Sequence, residues 1–202
     1  ELNLARVKLI GLFITALCKT KTINYDRIAS AFDTKADKNS SYRRIQRFMR
    51  DFDFPMKVVS ILIFNILPFK ENLVLVLDRT NWKFGEHNIN ILMLGISYKN
   101  VAFPLMFKML DKRGNSDTEE RINLIKKYIE WFGKQSIDCL LADREFVGGK
   151  WLEFLNDEKI RYHIRIRNNF TIYSYQKQEQ IKAFWLFNNL KVSEFYHYPK
   201  IV

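Results

Sequence analysis

LVLVLDRTNWKF, residues 73–84, runs five apolar residues of strand type into Asp78, and Arg79, Thr80, Asn81, Trp82 and Lys83 follow at once. A short apolar run of this kind reads as a buried strand. The acid at its end either bonds turn amides or holds a metal ion. Downstream, Ile89 to Tyr98 and Val101 to Met109 are two more strand-like runs, with Lys99-Asn100 as a tight turn between them. Short connections make these three strands antiparallel neighbours. Asn115 or Ser116 can then cap a helix in which Ile122, Ile125, Tyr128, Ile129 and Phe132 share a face, closed by Gly133. Ile137 to Ala142 is again a strand, ending at Asp143. A helix with Trp151, Leu152 and Leu155 inward comes next, then a strand from Tyr162 to Ile166 alternating with Arg161, Arg165 and Arg167.

Three antiparallel strands followed by helix, strand, helix, strand predict an α/β fold. Its sheet is mixed and covered by helices, and the crossovers set the later strands parallel to the first. The C-terminal ends of neighbouring parallel strands converge at one sheet edge, and Asp78 and Asp143 occupy such ends. From about residue 168 the chain is rich in aromatics and amides and fits the scheme poorly, so it reads as an insertion.

Upstream, residues 1–70 read as a small all-α region, with Pro68 marking the boundary to a second region, 71–202. Leu4, Val7, Ile10, Ile14 and Leu17 recur at helical spacing, Asn24 can cap a short helix, and Ser40 can cap another, SSYRRIQRFMRDF. At about 100° per residue, Arg43, Arg47 and Arg50 fall on one side of it with Arg44 at its edge, opposite Ile45, Phe48, Met49 and Phe52. An apolar face buried on the preceding helices leaves an arginine stripe outward, as a helix lying along DNA phosphates requires; a solvated charged face is the plainer reading. The charge supports the first. Of a formal net charge of +11, residues 1–70 carry +7, from 13 basic and 6 acidic side chains. That balance favours a polyanionic partner, because neutralising phosphates releases counterions, over a merely basic soluble protein.

An apolar fraction of 48% with only 7 Gly and 4 Pro in 202 residues belongs to a folded chain. Cys18 and Cys139 lie far apart outside any paired motif, which excludes a disulfide framework or zinc site built on cysteine and fits a reducing cytosol. The longest apolar run, Val58 to Leu67, is broken by Ser60 and Asn65 and is too short to cross a bilayer, so no membrane partner is expected. His87, His163 and His197 show no metal-ligand spacing, and Gly148-Gly149-Lys150 lacks the other elements of a phosphate-binding loop. Trp82 either packs in a core or stacks on a base.

Two aspartates about 65 residues apart say nothing by spacing alone. At equivalent strand ends they could share magnesium, which prefers oxygen donors and takes only one or two protein carboxylates. Two such ions roughly 3.5 to 4 Å apart serve in-line phosphodiester displacement.

The segments LVLVLDRTNWKFGEHNINILMLGISYKNVAFPL, KRGNSDTEERINLI and IDCLLADREFVGGKWLEFL, together with RRIQRFM upstream, resemble the insertion-sequence-four family of bacterial DDE transposases. The resemblance covers most of the chain, and the pairing of LDRTNW with LADREF is its most specific part. It implies an RNase H-like core in which Asp78 and Asp143 are the first two catalytic, metal-binding acids, with Mg²⁺ as cofactor and Mn²⁺ as a substitute. It also implies cut-and-paste transposition in the bacterial cytoplasm, with terminal inverted repeats and target DNA as double-stranded partners and a homodimer as the full-length form. The segment after Arg167 then corresponds to the family's β-rich insertion.

The family's third acid, a Glu within a Tyr, Arg, Glu, Lys signature, has no counterpart here. Glu145, Glu153 and Glu194 each belong to another segment, so the expectation is a chain that stops before the signature and lacks strand transfer. The expected DNA contacts are Arg43, Arg44, Arg47 and Arg50, with Arg165 and Arg167 near the phosphate backbone. Two rival functions stay open: an RNase H-like nuclease that hydrolyses without joining ends, and a non-catalytic DNA-binding remnant.

Overall fold

The computed structural model describes residues 3–174 and 178–197, apart from the side chain of Phe84. The chain divides into two compact units, Glu1–Pro55 and Met56–Val202.

The first unit is helical. α1 (Leu4–Thr20) is capped by Asn3, whose side chain accepts from the Arg6 amide, and α2 (Tyr25–Ser30) by Asn24, as the sequence predicts. α3 (Lys38–Asp51) begins earlier than expected. Its cap is Asp37, which accepts from the amides of Asn39 and Ser40, so Ser40 lies inside the helix. Leu9 and Ala16 of α1, Ile28 and Ala29 of α2, Phe32, and Ile45 of α3 form the core.

The second unit opens with α4 (Met56–Ile66). The sequence places this helix with the N-terminal region, up to residue 70. The structure joins it to the sheet unit instead, because its Ile63 and Phe64 pack on the sheet's core and its buried Ser60 hydroxyl donates to the Leu105 carbonyl at 2.9 Å. β1 (Leu73–Phe84), β2 (His87–Tyr98) and β3 (Val101–Met109) follow as an antiparallel meander. At a β2–β3 bulge, Gly95 lies so close to β3 that a Cβ there would meet the Phe103 carbonyl oxygen at 2.9 Å. α5 (Thr118–Phe132) leads through a 3-10 turn to β4 (Ile137–Ala142), and α6 (Gly149–Asp157) leads to β5 (Arg161–Ile164).

The strand order is β3-β2-β1-β4-β5, with β4 parallel to β1 and β5 parallel to β4. This is the RNase H-like arrangement, preceded by helices, that the sequence predicts. Leu73, Leu75, Leu77, Leu92, Leu94, Ile96 and Leu140 face a helical layer whose anchors are Ile125, Tyr128, Trp151 and Leu155, and Phe64 of α4 stacks on Phe132 of α5 at 4.5 Å.

Two strand lengths differ from expectation. β1 does not end at Leu77 but runs on to Phe84, because β2 pairs with it along its whole length as far as Phe84↔His87. β5 ends at Ile164 rather than Ile166. Beyond it, β6 (Thr171–Ser174) and β7 (Glu179–Lys182) form a separate two-stranded sheet, followed by a single turn of helix, α7 (Phe184–Phe187). Among the described residues no helix is long and apolar enough to cross a membrane.

Candidate active site

The parallel ladder between β1 and β4 ends at the pair Leu77↔Ala142, so the next residue on each strand is an aspartate. Asp78 and Asp143 are both exposed there. Asp78 is therefore not the last residue of its strand; it stands where β1 loses its parallel neighbour and keeps only its antiparallel one. One oxygen of each carboxylate accepts the amide of the following residue, Arg79 at 2.8 Å and Arg144 at 2.7 Å. Among the described residues no other hydrogen-bond partner meets either acid, so each exposed carboxylate keeps an oxygen without a hydrogen bond. The amide of Arg165 donates to the Ala142 carbonyl at 3.1 Å, which brings the start of the post-β5 segment beside Asp143.

What fixes the two acids lies directly beneath them. Side chains alternate along a strand, so Arg79 follows Leu73, Leu75 and Leu77 onto the buried face. A guanidinium placed there needs partners. Its Nε and Nη2 donate to both carboxylate oxygens of Glu145 at 2.8 and 3.0 Å. Its Nη1 donates to Asn90 on β2 at 3.3 Å, and its Nη2 also to Asn115 at 3.1 Å. The pair is shielded, with side chains 10% and 22% exposed. The hydrogen bond to Glu145 holds the Arg79 guanidinium above its ordinary pKa against the cost of burial.

The Asn90 amide nitrogen in turn donates to the carbonyls of Lys112 and Gly114, both at 3.0 Å, and so ties the loop after β3 to the hairpin. Arg121 of α5 is 5% exposed, donates to the Ser116 hydroxyl at 2.9 Å and lies 5.1 Å over the ring of buried Phe146. Burial pushes its guanidinium below the ordinary value, with the charge of Glu145 the chief opposing influence.

Each residue of the LADREF turn thus has a distinct place. Asp143 and Arg144 are exposed, Glu145 is clamped to Arg79, and Phe146 is anchored in the core. Both carboxylate oxygens of Glu145 are engaged by Arg79, and it is not part of any convergent group of ligands among the described residues. Glu153 lies on α6, and Glu194 accepts the amide of Lys191 at 2.8 Å. Among the described residues no three Asp, Glu, His or Cys side chains converge on one point.

The sequence gives no site role to Arg79, Asn90 or Arg121, offers Asn115 only as a helix cap, and offers Glu145 only as a substitute third acid. One signal was available: Arg79 falls on the buried parity of β1, and a charge in that position demands a counter-charge.

The expected DNA-binding arginines separate into two groups. On α3, Arg43 and Arg47 are exposed and, with Ser40, Gln46 and Arg50, line an open groove of about 470 Å³. Arg44 is half-buried and donates to the Ala5 carbonyl at 3.3 Å, while Arg50 is paired with Asp51 at 2.5 Å. Arg165 and Arg167 are exposed but lie just past β5 rather than on it. Of the expected β5 arginines only Arg161 is in the strand, and it pairs with Asp138.

No family model matches the chain, and no curated protein matches its sequence. Solved structures are similar to it at the level of fold. A chain of the simian T-cell lymphotropic virus intasome, in complex with a regulatory subunit, is 14% identical over 49% of this chain and 34% of its own, with a TM-score of 0.37. A large terminase from a thermophilic bacteriophage is 17% identical over 48% and 23%, with a TM-score of 0.32. The Drosophila P element transposase strand transfer complex is 11% identical over 93% and 56%, with a TM-score of 0.36. The chain thus spans between about a quarter and just over half of these structures' own lengths. The fold itself is read from strand order and direction.

Proposed function

We propose that this chain carries the first two acids of a metal-dependent DNA transposase of the DDE type, of the insertion-sequence-four kind. The observation that carries this reading is the pair Asp78 and Asp143, exposed where the parallel β1–β4 ladder ends and backed by the ion pair between Arg79 and Glu145. The donor set fits magnesium: two hard carboxylates, each with an oxygen free of hydrogen bonds, leave the remaining positions to water and phosphate. Bound there, Mg²⁺ supplies activation of the attacking hydroxyl and neutralisation of charge on the leaving oxygen.

The chain's own residues do the rest. Asp78 and Asp143, next to each other in register where the β1–β4 ladder ends, are the ligands in this reading. Arg43 and Arg47 offer charge to DNA phosphates from α3, with Arg44 and Arg50 contributing less because each already has a partner. Arg165 and Arg167 offer charge beside Asp143. Inverted repeats, target DNA, a bacterial cytoplasmic setting and a homodimer belong to this reading. The family's third acid is assigned to none of the residues described.

Calorimetric titration with Mn²⁺ tests it. Wild type is expected to bind, and Asp78→Asn and Asp143→Asn to lose most of that heat with unchanged thermal melting. Identical isotherms for wild type and both variants would refute the acids as ligands.

A further inference from the structure

β1 and β2 outrun the rest of the sheet. β4 stops pairing at Ala142 opposite Leu77, and β3 stops at Met109 opposite Ile91, yet β1 and β2 continue to pair as far as Phe84↔His87. Residues 81–90 therefore form a two-stranded ribbon that extends past both neighbouring strands, and Arg79 and Thr80 lie past β4 alone. By strand alternation, Asp78, Thr80 and Trp82 share one face of this ribbon, and all three are exposed. Trp82 is 46% exposed. At about 3.3 Å per residue it stands roughly 13 Å along the strand from Asp78.

An indole left half in water on the same face as an acid is a poor core residue and a good stacking platform. Its cross-strand neighbour Ile89 is half-buried and shares its face. Cations lie close by. Trp82 and Ile89 line, with Lys83, Asn88, Lys112 and Arg113, a small cavity of about 210 Å³. Lys112 is neutralised by Asp117 and Glu120 at 2.9 and 2.8 Å. Lys83 and Arg113 have no ion-pair partner among the described residues and are exposed. Glu86, near the turn, is the ribbon's own acid.

We propose that residues 79–90 are a binding surface for unpaired DNA, in which Trp82 stacks on a base a short distance from the phosphate that lies at Asp78 and Asp143. An exposed ring flanked by cations is the combination that holds single strands without reading sequence. The inference rests on the DNA reading above but makes a separate demand, that this ribbon, and not only α3, touches nucleic acid.

Irradiation of the full chain with a short oligothymidylate carrying iodouracil, followed by peptide mapping, tests it. The crosslink is expected on the peptide containing Trp82. Trp82→Leu should abolish that crosslink and weaken single-strand affinity by about tenfold, while Trp82→Phe keeps both. Melting temperature and duplex affinity should be unchanged in either variant. A crosslink found only outside residues 79–90, or single-strand affinity unchanged in Trp82→Leu, overturns the inference. So does a chain that sediments as a dimer and becomes monomeric in Trp82→Leu with affinity retained, because the ring then packs on a second copy. If duplex binding persists but depends only on Arg43 and Arg47, the ribbon fails while the DNA reading stands. If neither form of DNA binds, both fail. If Trp82 crosslinks while Mn²⁺ titrations of wild type and the acid variants coincide, the ribbon stands and the metal reading fails.

Discussion

Arg79 and Glu145 are the residues on which the two acids depend. Breaking a buried ion pair from one side leaves the other charge desolvated and costs about 3 to 5 kcal/mol. Arg79→Met and Glu145→Gln should each lower stability by about 3 kcal/mol. The double variant should cost less than the sum, because the second substitution removes a charge already stranded. Urea unfolding of the four proteins gives the coupling, and strict additivity would mean that the pair does not act as a unit. The same cycle explains what the sequence disclosed. Asp78 and Asp143 were visible because each closes an apolar run. Arg79 and Glu145 were not paired, because 66 residues separate them and only the parallel register of β1 and β4 brings them together.

At the level of elements, local signals were read well where local physics decides and poorly where tertiary demand takes over. Asn24 caps α2 as expected because nothing competes for its side chain. Asn115 and Ser116 were reasonable caps for α5, but one accepts from Arg79 and the other from Arg121, and the cap passes to Asp117. There the Asp117 carboxylate accepts the Glu120 amide and the Glu120 carboxylate accepts the Asp117 amide, each at 2.8 Å, forming a capping box. The apolar run Leu73 to Leu77 marks only the part of β1 under the helical layer; beyond Asp78 the strand is held by β2 alone.

The Glu120 amide, followed by the ion pair with Lys112, holds the Asp117 pKa below its ordinary value of 3.8. A depressed carboxylate contributes stability that is present above its unfolded pKa and lost as pH falls through the folded one. Asp117→Ala should cost about 1 kcal/mol at neutral pH. That difference should shrink only below pH 3.8, as the wild-type carboxylate protonates. Asp117→Asn, which keeps a capping oxygen, should recover part of the loss without that pH dependence. Thermal melting across the acid range measures it, and a wild-type advantage that stayed constant through the range would contradict the assignment.

Across the whole molecule, composition identified a basic chain with enough apolar residues for a core, and element order identified the sheet. The boundary was the part misplaced, and the reason lies in α4. Its sequence is helical like the three helices before it, so pattern alone groups it with them, whereas its partners are Leu105 on β3 and Phe132 on α5. Contact with the sheet, not local periodicity, decides where the first unit ends. A fragment of residues 56–202 should therefore melt cooperatively, close to the sheet's transition in the full chain. One starting at residue 71 would lose Ile63, Phe64 and Leu67 from the core, about 3 kcal/mol or more of burial, and would leave the Leu105 carbonyl without its hydroxyl donor. It should melt at lower temperature and bind a hydrophobic dye in its native baseline. If both fragments melted together and neither bound dye, α4 would be dispensable to the sheet, and the boundary at residue 70 would be restored.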